Sequence, residues 1–143
     1  MPSFTTQVSD IRLIGPVLEV QVVPSPLFVQ TLKIPEQNLP QPIPITALID
    51  TGASGTVIKE GIPRQLGLNP IGFTYITTAS SQNKLCLQYE LAFLLPNIKI
   101  AFRAVVTEVP LQGQHIQCLI GRDFLSHAVL IYIGYNNSFT LSI

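Results

Sequence analysis

The sequence predicts an all-β barrel with one short helix near its C-terminus. Short segments alternate apolar and polar side chains, as in residues 18–22, and this period of two is typical of half-buried strands. Twelve prolines and nine glycines separate such segments along the chain. Hydrophobic residues make up 47% of the chain and charged residues only 11%, which favours a packed core over disorder. A length of 143 residues predicts a single domain over residues 1–143.

The first half of the chain contains three predicted strands and one loop. Residues 18–22 alternate, and residues 27–34 form a second candidate strand. Residues 35–44 carry four prolines, which predicts an exposed loop because proline cannot donate a hydrogen bond inside a sheet. Residues 45–50 form the next predicted strand.

A helical turn and a hairpin are predicted next. Residues 62–67 have a proline early and a glycine at the end, as a short helical turn would. Residues 73–78 and 85–95 are predicted strands on either side of a polar segment, residues 79–84. Together they predict a hairpin with a mobile tip.

The C-terminal third alternates between strands and one helix. Residues 98–106 are predicted to be a strand, residues 121–127 the short helix, and residues 128–133 a buried strand. Two asparagines at 136 and 137 indicate a turn before a last strand, residues 139–143.

Charge and composition exclude several functions. Eight basic and eight acidic residues are scattered singly, so no basic cluster is available for nucleic acid. No apolar run reaches the roughly 18–20 residues of a membrane span, and the N-terminus lacks a signal-peptide pattern. We therefore expect a cytoplasmic protein that binds neither nucleic acid nor membrane. Cys86 and Cys118 predict reduced thiols, and no paired spacing predicts a metal site.

One carboxylate lies at an unusual place. Residues 47–56 read Ala-Leu-Ile-Asp-Thr-Gly-Ala-Ser-Gly-Thr, an apolar strand that runs directly into a turn of small residues. Asp50 is at the junction, where burial of a charge is unfavourable unless a partner group or a second carboxylate shares the site. Asp50 is therefore the candidate catalytic residue.

A second motif follows at residues 119–125, Leu-Ile-Gly-Arg-Asp-Phe-Leu. In this order and at this separation, the two motifs resemble the signatures of the retropepsin family, the aspartic proteases of retroviral type. The resemblance covers about the last two-thirds of the chain, from residue 45 onward. It implies a closed acid-protease barrel that acts as a homodimer, with one Asp50 from each subunit holding a water between them. No cofactor or metal is implied.

The resemblance also implies an active-site loop of four residues after the aspartate: Thr51, Gly52, Ala53 and Ser54. Gly52 allows a close approach that a Cβ would block, and Thr51 is expected to brace the loop across the dimer axis. Ala53 lacks the hydroxyl that a serine could donate to an ionised Asp50, so we expect activity to extend toward neutral pH.

Gly121, Arg122 and Asp123 are expected to support this loop. In many viral relatives the arginine pairs with an aspartate just after the alanine of the loop, but this sequence has Ser54 there. Arg122 is therefore expected to bond to Ser54 or to backbone carbonyls, or to pair with Asp123 or another acid. The resemblance also implies a flap over the substrate, in which four residues are candidate contacts: Thr78, Ala79, Ser80 and Ser81.

The sequence thus predicts a homodimeric aspartic endopeptidase that cleaves extended, largely apolar peptide segments. Two alternatives remain open: a non-catalytic dimeric peptide-binding module of the same fold, and an enzyme whose only substrate is itself or its precursor. The last strand is expected either at a barrel edge or, as in viral relatives with interleaved termini, in an intersubunit sheet. The second placement is favoured because an exposed apolar edge invites aggregation.

Overall fold

A computed structural model describes residues 1–77, 83–96, 98, 101–112 and 115–143. Within these residues the strands are β1 Ser3–Gln7, β2 Val17–Val23, β3 Ile43–Ile49, β4 Val57–Lys59, β5 Gly72–Ile76, β6 Lys84–Leu94, β7 Ala101–Val109, β8 Cys118–Ile120, β9 Val129–Ile133 and β10 Ser138–Ser142. The helices are α1 Ile11–Ile14, α2 Pro26–Thr31, α3 Ile62–Gln65 and α4 Arg122–Leu125.

Six of the strands close into a barrel. Their order is β2-β3-β8-β4-β7-β6, and β6 returns to pair with β2. Strand β5 extends the sheet beyond β6, with which it forms an antiparallel hairpin. The predicted all-β barrel is therefore confirmed, and α4 is the predicted helix near the C-terminus. No helix in the described part of the chain is long and apolar enough to cross a membrane.

The barrel encloses a core of aliphatic and aromatic side chains. Val22, Leu91 and Phe93 are fully buried where β2 and β6 meet. The ring of Phe93 meets that of Phe124 edge to face, with centroids 6.4 Å apart. Because Phe124 lies on α4, this contact fixes the C-terminal helix against the barrel.

The prediction of a strand over residues 27–34 is wrong. Helix α2 occupies Pro26–Thr31, and the Phe28 N–H donates to the Ser25 hydroxyl (3.2 Å) at its N-terminus. A serine cap followed by proline at the first helical position favours a helix strongly enough to override the β-branched and aromatic residues of the segment.

The predicted loop over residues 35–44 is only partly correct. It contains a 3₁₀ turn at Glu36–Asn38, but β3 already begins at Ile43 and includes Pro44. Pro44 lies opposite Gln21 of β2, and β3 pairs with β8 only from Ala47 onward. A proline is tolerated in this strand because one of its sides has no strand partner there.

The chain ends form a separate three-stranded sheet in the order β1-β10-β9. Strand β1 was not predicted, and β10 is the central strand, so the predicted last strand is not at an edge. The predicted strand over residues 128–133 is confirmed as β9, but its predicted burial is wrong, because β9 is an edge strand whose Ile131 is 51% exposed and whose Tyr132 is 52% exposed. The Ile143 N–H also donates to the Pro2 carbonyl (3.0 Å).

Candidate active site

The two sequence motifs meet because their strands are parallel neighbours. In the pairing of β3 with β8, Ile49 lies opposite Ile120. One residue farther along, the Asp50 N–H donates to the Ile120 carbonyl (2.9 Å). Parallel strands end at the same edge of a sheet, so the aspartate turn and the Gly121 segment leave the barrel side by side.

The turn after β3 holds the Asp50 carboxylate in place. The Gly52 N–H donates to Asp50 Oδ1 (2.9 Å), and the Ala53 N–H donates to the Asp50 carbonyl (3.2 Å). Asp50 is half-buried, whereas Thr51 and Gly52 are exposed. A Cβ on Gly52 would lie 3.1 Å from Asp50 Oδ1, so a side chain there would crowd the carboxylate. The result is a carboxylate with one oxygen anchored by a backbone donor.

The start of α4 supports this turn through three hydrogen bonds. Arg122 Nη1 donates to the Thr51 carbonyl (2.8 Å), and the Arg122 N–H donates to the Ala53 carbonyl (2.8 Å). The Asp123 N–H donates to the Ser54 carbonyl (3.1 Å). Of the partners expected for Arg122, the structure therefore shows backbone carbonyls. These bonds hold the loop from the side of the second motif.

A buried threonine that the sequence analysis missed completes the brace. Thr56 is 1% exposed, and its hydroxyl donates to Asp123 Oδ1 (2.8 Å) while accepting from the Gly121 N–H (3.1 Å). The Thr56 N–H donates to Asp123 Oδ2 (3.0 Å), and the Phe124 N–H to Oδ1 (2.8 Å). A threonine after a run of small residues was the only signal in the sequence, and its partner lies far along the chain.

Gly121 is needed for a second close approach. A Cβ on Gly121 would lie 2.4 Å from the carbonyl oxygen of Gly55 and 2.6 Å from its carbonyl carbon. Both atoms belong to the backbone, which cannot move aside without displacing the turn. The two motifs are thus packed backbone against backbone.

A buried thiol lies beneath the site. Cys118, in β8, is fully buried, and burial raises the pKa of its thiol, with a smaller contribution from the negative charge of Asp123. Cys118 therefore stays protonated and behaves as a small apolar side chain. Among the described residues, no three His, Cys, Asp or Glu side chains gather closely enough to hold a metal ion.

The hairpin of β5 and β6 has the position in the chain that a flap requires. Its strands pair from Gly72 opposite Gln88 to Ile76 opposite Lys84, as the sequence predicted. The four predicted contact residues at its tip, Thr78, Ala79, Ser80 and Ser81, lie outside the described residues.

A groove of about 420 Å³ adjoins the active-site loop. It extends from Thr51 of the loop, past Arg122 and Leu125 of α4, to Leu130 of β9. The loop and the edge of the three-stranded sheet therefore share one continuous surface.

Comparison with known families agrees with this geometry. A family model described as "gag-polyprotein putative aspartyl protease" matches residues 41–127, which include both motifs and more than half of the chain. The chain belongs to this family. With the closed barrel described above, it has a retropepsin-like aspartic protease fold. A search of curated proteins found no match.

Three solved structures are similar to this protease-family chain. The first is the EIAV protease complexed with the inhibitor HBY-793, at 18% identity and a TM-score of 0.44, covering 78% of this chain and 86% of that one. The retroviral protease-like domain of Ddi1 from Leishmania major has 16% identity and a TM-score of 0.46, covering 90% and 88%. A retropepsin-like aspartic protease from Rickettsia conorii has 15% identity and a TM-score of 0.46, covering 99% and 95%.

Proposed function

We propose that the protein is a homodimeric aspartic endopeptidase in which each subunit contributes one Asp50. The observation that carries this proposal is the Asp50 carboxylate, held by the Gly52 N–H at the end of β3 and braced by the second motif. A rigid, half-exposed carboxylate in this family's turn is suited to react with a bound molecule. A binding module of the same fold has no need of an acid there.

A single carboxylate cannot supply both proton transfers of peptide hydrolysis. Two carboxyl groups about 3 Å apart cannot both ionise and therefore share one proton. Asp123 is not the second member, because both of its oxygens accept bonds within the brace. A two-fold axis brings the same residue of another copy into place, so the second carboxylate in the proposal is Asp50 of the partner.

The proposed chemistry follows from the shared proton. The ionised Asp50 takes a proton from the bound water as its oxygen attacks the peptide carbon, and the protonated Asp50 donates to the carbonyl oxygen. The tetrahedral intermediate then collapses: the protonated carboxyl donates to the amide nitrogen, the C–N bond breaks, and the other carboxylate takes a proton from a hydroxyl of the intermediate, so the pair again holds one proton. The peptide binds in an extended form beneath the hairpin of β5 and β6, by strand addition.

Replacement of Asp50 by Asn tests the proposal. We expect Asp50→Asn to lower the cleavage rate of a peptide library by about 10³-fold or more, with unfolding and dimerisation unchanged. Asp10→Asn is the matched control, since Asp10 caps α1 by accepting from the Leu13 N–H and asparagine caps equally well. If the unmodified chain binds peptides without cleaving them, and Asp50→Asn binds them equally well, the result would instead support the binding module.

The pH dependence offers a second test. A serine at position 53 can donate its hydroxyl to an ionised Asp50, which favours the ionised form. We therefore expect Ala53→Ser to move the acid limb of the pH–rate profile to lower pH, measured against Ala53→Gly. If the pH–rate profile of the unmodified enzyme is confined to strongly acidic pH, the expectation that Ala53 extends activity toward neutral pH is contradicted.

A further inference from the structure

The outer face of β3 leads from Asp50 to the far end of the strand. Alternate residues of β3 are buried in the core, whereas Pro44 is exposed and Thr46 is half-buried on the other face. Asp50 directly follows the strand and falls on the same side of this alternation. On β2, the exposed residues Glu19 and Gln21 lie opposite Thr46 and Pro44. The two strands therefore form one outer face that ends at Asp50.

A groove of about 600 Å³ lies on this outer face. It crosses the sheet at the row in which Pro44, Gln21 and Leu94 are paired neighbours, and Glu19 lines the end nearer Asp50. The row at Pro44 is about 20 Å from Asp50 along β3, because each strand residue adds about 3.3 Å. The groove is thus distinct from the aspartate turn but shares a face with it.

A second groove, of about 510 Å³, adjoins Val23, the next residue of β2 on this outer face. Its other walls come from helix α2 and from the proline-rich residues 39–42, which belong to the connection between β2 and β3. Val22 and Ile43 are already paired across that connection, and a turn of about two residues can join paired strands. Closure of the barrel therefore does not account for the length of this connection.

The charged side chains of both grooves are acidic. Glu19 lines the first groove and Glu36 the second, and among the residues that the structure describes no lysine, arginine or histidine lines either. The rest of the lining is apolar except for the carboxamides of Gln21, Gln30 and Gln41. An apolar surface with carboxylates spaced along it complements an extended peptide that carries both aliphatic and basic side chains.

We propose that the two grooves bind a basic, apolar segment of the same polypeptide that occupies the Asp50 site. This inference rests on the proposed function, in which the substrate binds as an extended strand. An extended chain advances about 3.3 Å per residue, so this segment lies about six residues or more from the bond at Asp50. The substrate class is therefore a long polypeptide with Lys or Arg in that segment, and short peptides lack this source of affinity.

Substrates of two lengths test the proposal. The short substrate is a library peptide that the protein cleaves. The long substrates extend it at either end by about twelve residues of alternating leucine and lysine, which is enough to reach both grooves. We expect one of the long substrates to have a KM about 10-fold lower than the short one, with kcat unchanged, because the added contact binds substrate and transition state equally. Glutamate in place of the lysines should abolish this effect.

A charge reversal in the second groove identifies the binding surface. Glu36→Lys should remove the effect of the lysine extension and leave cleavage of the short substrate unchanged. Glu60→Lys is the matched control, because Glu60 is also exposed, lies outside both grooves and changes the net charge equally. If Glu36→Lys keeps the full effect, or if lysine and glutamate extensions act alike on the unmodified chain, the inference is overturned.

A binding measurement gives a readout that does not require activity. The probe is a fluorescent peptide of about twelve residues that alternates leucine and lysine. We expect anisotropy to show a Kd about 10-fold higher for Glu36→Lys than for Glu60→Lys, and weaker binding as salt is added. Absence of binding, or the same Kd for both variants, would contradict the inference. A sedimentation change in Glu36→Lys alone would identify a second copy of the chain as the occupant and would also overturn it.

These measurements separate the two proposals. Probe binding that depends on Glu36, in a protein that cleaves no peptide, would keep the grooves as a binding site and reject the enzyme. Cleavage that is indifferent to Glu36 with every substrate would reject the grooves and keep the enzyme.

Discussion

The Asp50 loop and the β9 edge are neighbours with opposite characters. The loop is held by hydrogen bonds within its own chain: the Gly52 N–H donates to Asp50 Oδ1, and Arg122 Nη1 donates to the Thr51 carbonyl. The β9 edge has strand β10 on one side only, in the part of the chain that the structure describes. The difference teaches that the chain holds its aspartate through its own hydrogen bonds, whereas the strand edge beside it is left unpaired by the described residues.

The contrast continues in the buried groups. Within the described residues, every buried side-chain nitrogen and oxygen atom has a hydrogen-bond partner, including the Thr56 hydroxyl. Substitutions of the buried groups in the brace should therefore be strongly destabilising, whereas those at exposed positions of the terminal sheet should not. The four predictions below test this difference, starting with the largest expected effect.

The contact between Gly121 and Gly55 gives the sharpest test. Gly121→Ala places a Cβ 2.4 Å from the Gly55 carbonyl oxygen, so the turn must shift, and we expect a loss of about 3 kcal/mol in unfolding free energy. Peptide cleavage should fall with it. Gly55→Ala is the matched control, because its Cβ meets nothing within 4 Å. Equal effects of the two changes in urea denaturation would contradict the rigid brace.

The Thr56 hydroxyl is the next test. Thr56→Val keeps the shape but leaves the Gly121 N–H without its acceptor and removes a donor from Asp123. We expect the unfolding free energy to fall by about 2 kcal/mol. Thr140→Val, which removes an exposed hydroxyl pair with Thr5, should change it by less than about 0.5 kcal/mol. A comparable loss at both positions would remove the distinction between the two regions.

The buried thiol predicts a pH dependence of stability. Burial raises the pKa of Cys118 above its value of about 8.5 in the unfolded chain. Above that pH the unfolded chain has lost a proton that the folded chain retains, so stability is full below about pH 8.5 and falls by about 1.4 kcal/mol per pH unit above it. Cys118→Ala should show a shallower decline in urea denaturation between about pH 8 and 10. Parallel curves for the two proteins would contradict the prediction.

The smallest expected effect is at Arg122. Its Nη1 bond to the Thr51 carbonyl is exposed, so Arg122→Lys should change the unfolding free energy by about 1 kcal/mol or less. Because the loop then loses a fixed support, kcat should fall more than KM changes when both are measured at a protein concentration that saturates the dimer. Arg64→Lys on α3 is the control. A change confined to KM would indicate a contact with substrate instead of support for the loop.

The sequence correctly predicted the strands that depend on a local pattern of residues. Period-two alternation identified β2, and the apolar run before Asp50 identified β3. The run at 27–34 was misassigned because apolar composition alone does not separate a short helix from a strand, and the Ser25 cap decided it. Strand β9 was expected to be buried because it is apolar, but burial depends on what packs against a strand, and among the described residues only β10 pairs with it.

The site residues that lie within a sequence motif could be predicted, whereas those whose role depends on tertiary contacts could not. The sequence identified Asp50, and its catalytic role remains a prediction. The sequence also indicated Gly121, Arg122 and Asp123 as supports, and the structure places all three against the loop. Thr56 was missed because its role depends on Asp123, 67 residues away along the chain. For Arg122 the sequence limited the hydrogen-bond partner only to a few groups. Every residue has a backbone carbonyl, so a sequence does not indicate which carbonyl accepts the bond.

The parallel pairing of β3 with β8 also constrains which insertions and deletions the chain can accept. Asp50 and Gly121 each follow the last paired residue of their strands. Loss of one residue from either strand would move that motif by about 3.3 Å and turn its side chains to the opposite face. The loops between the motifs can therefore differ in length among relatives, whereas the residue count within these two short strands cannot.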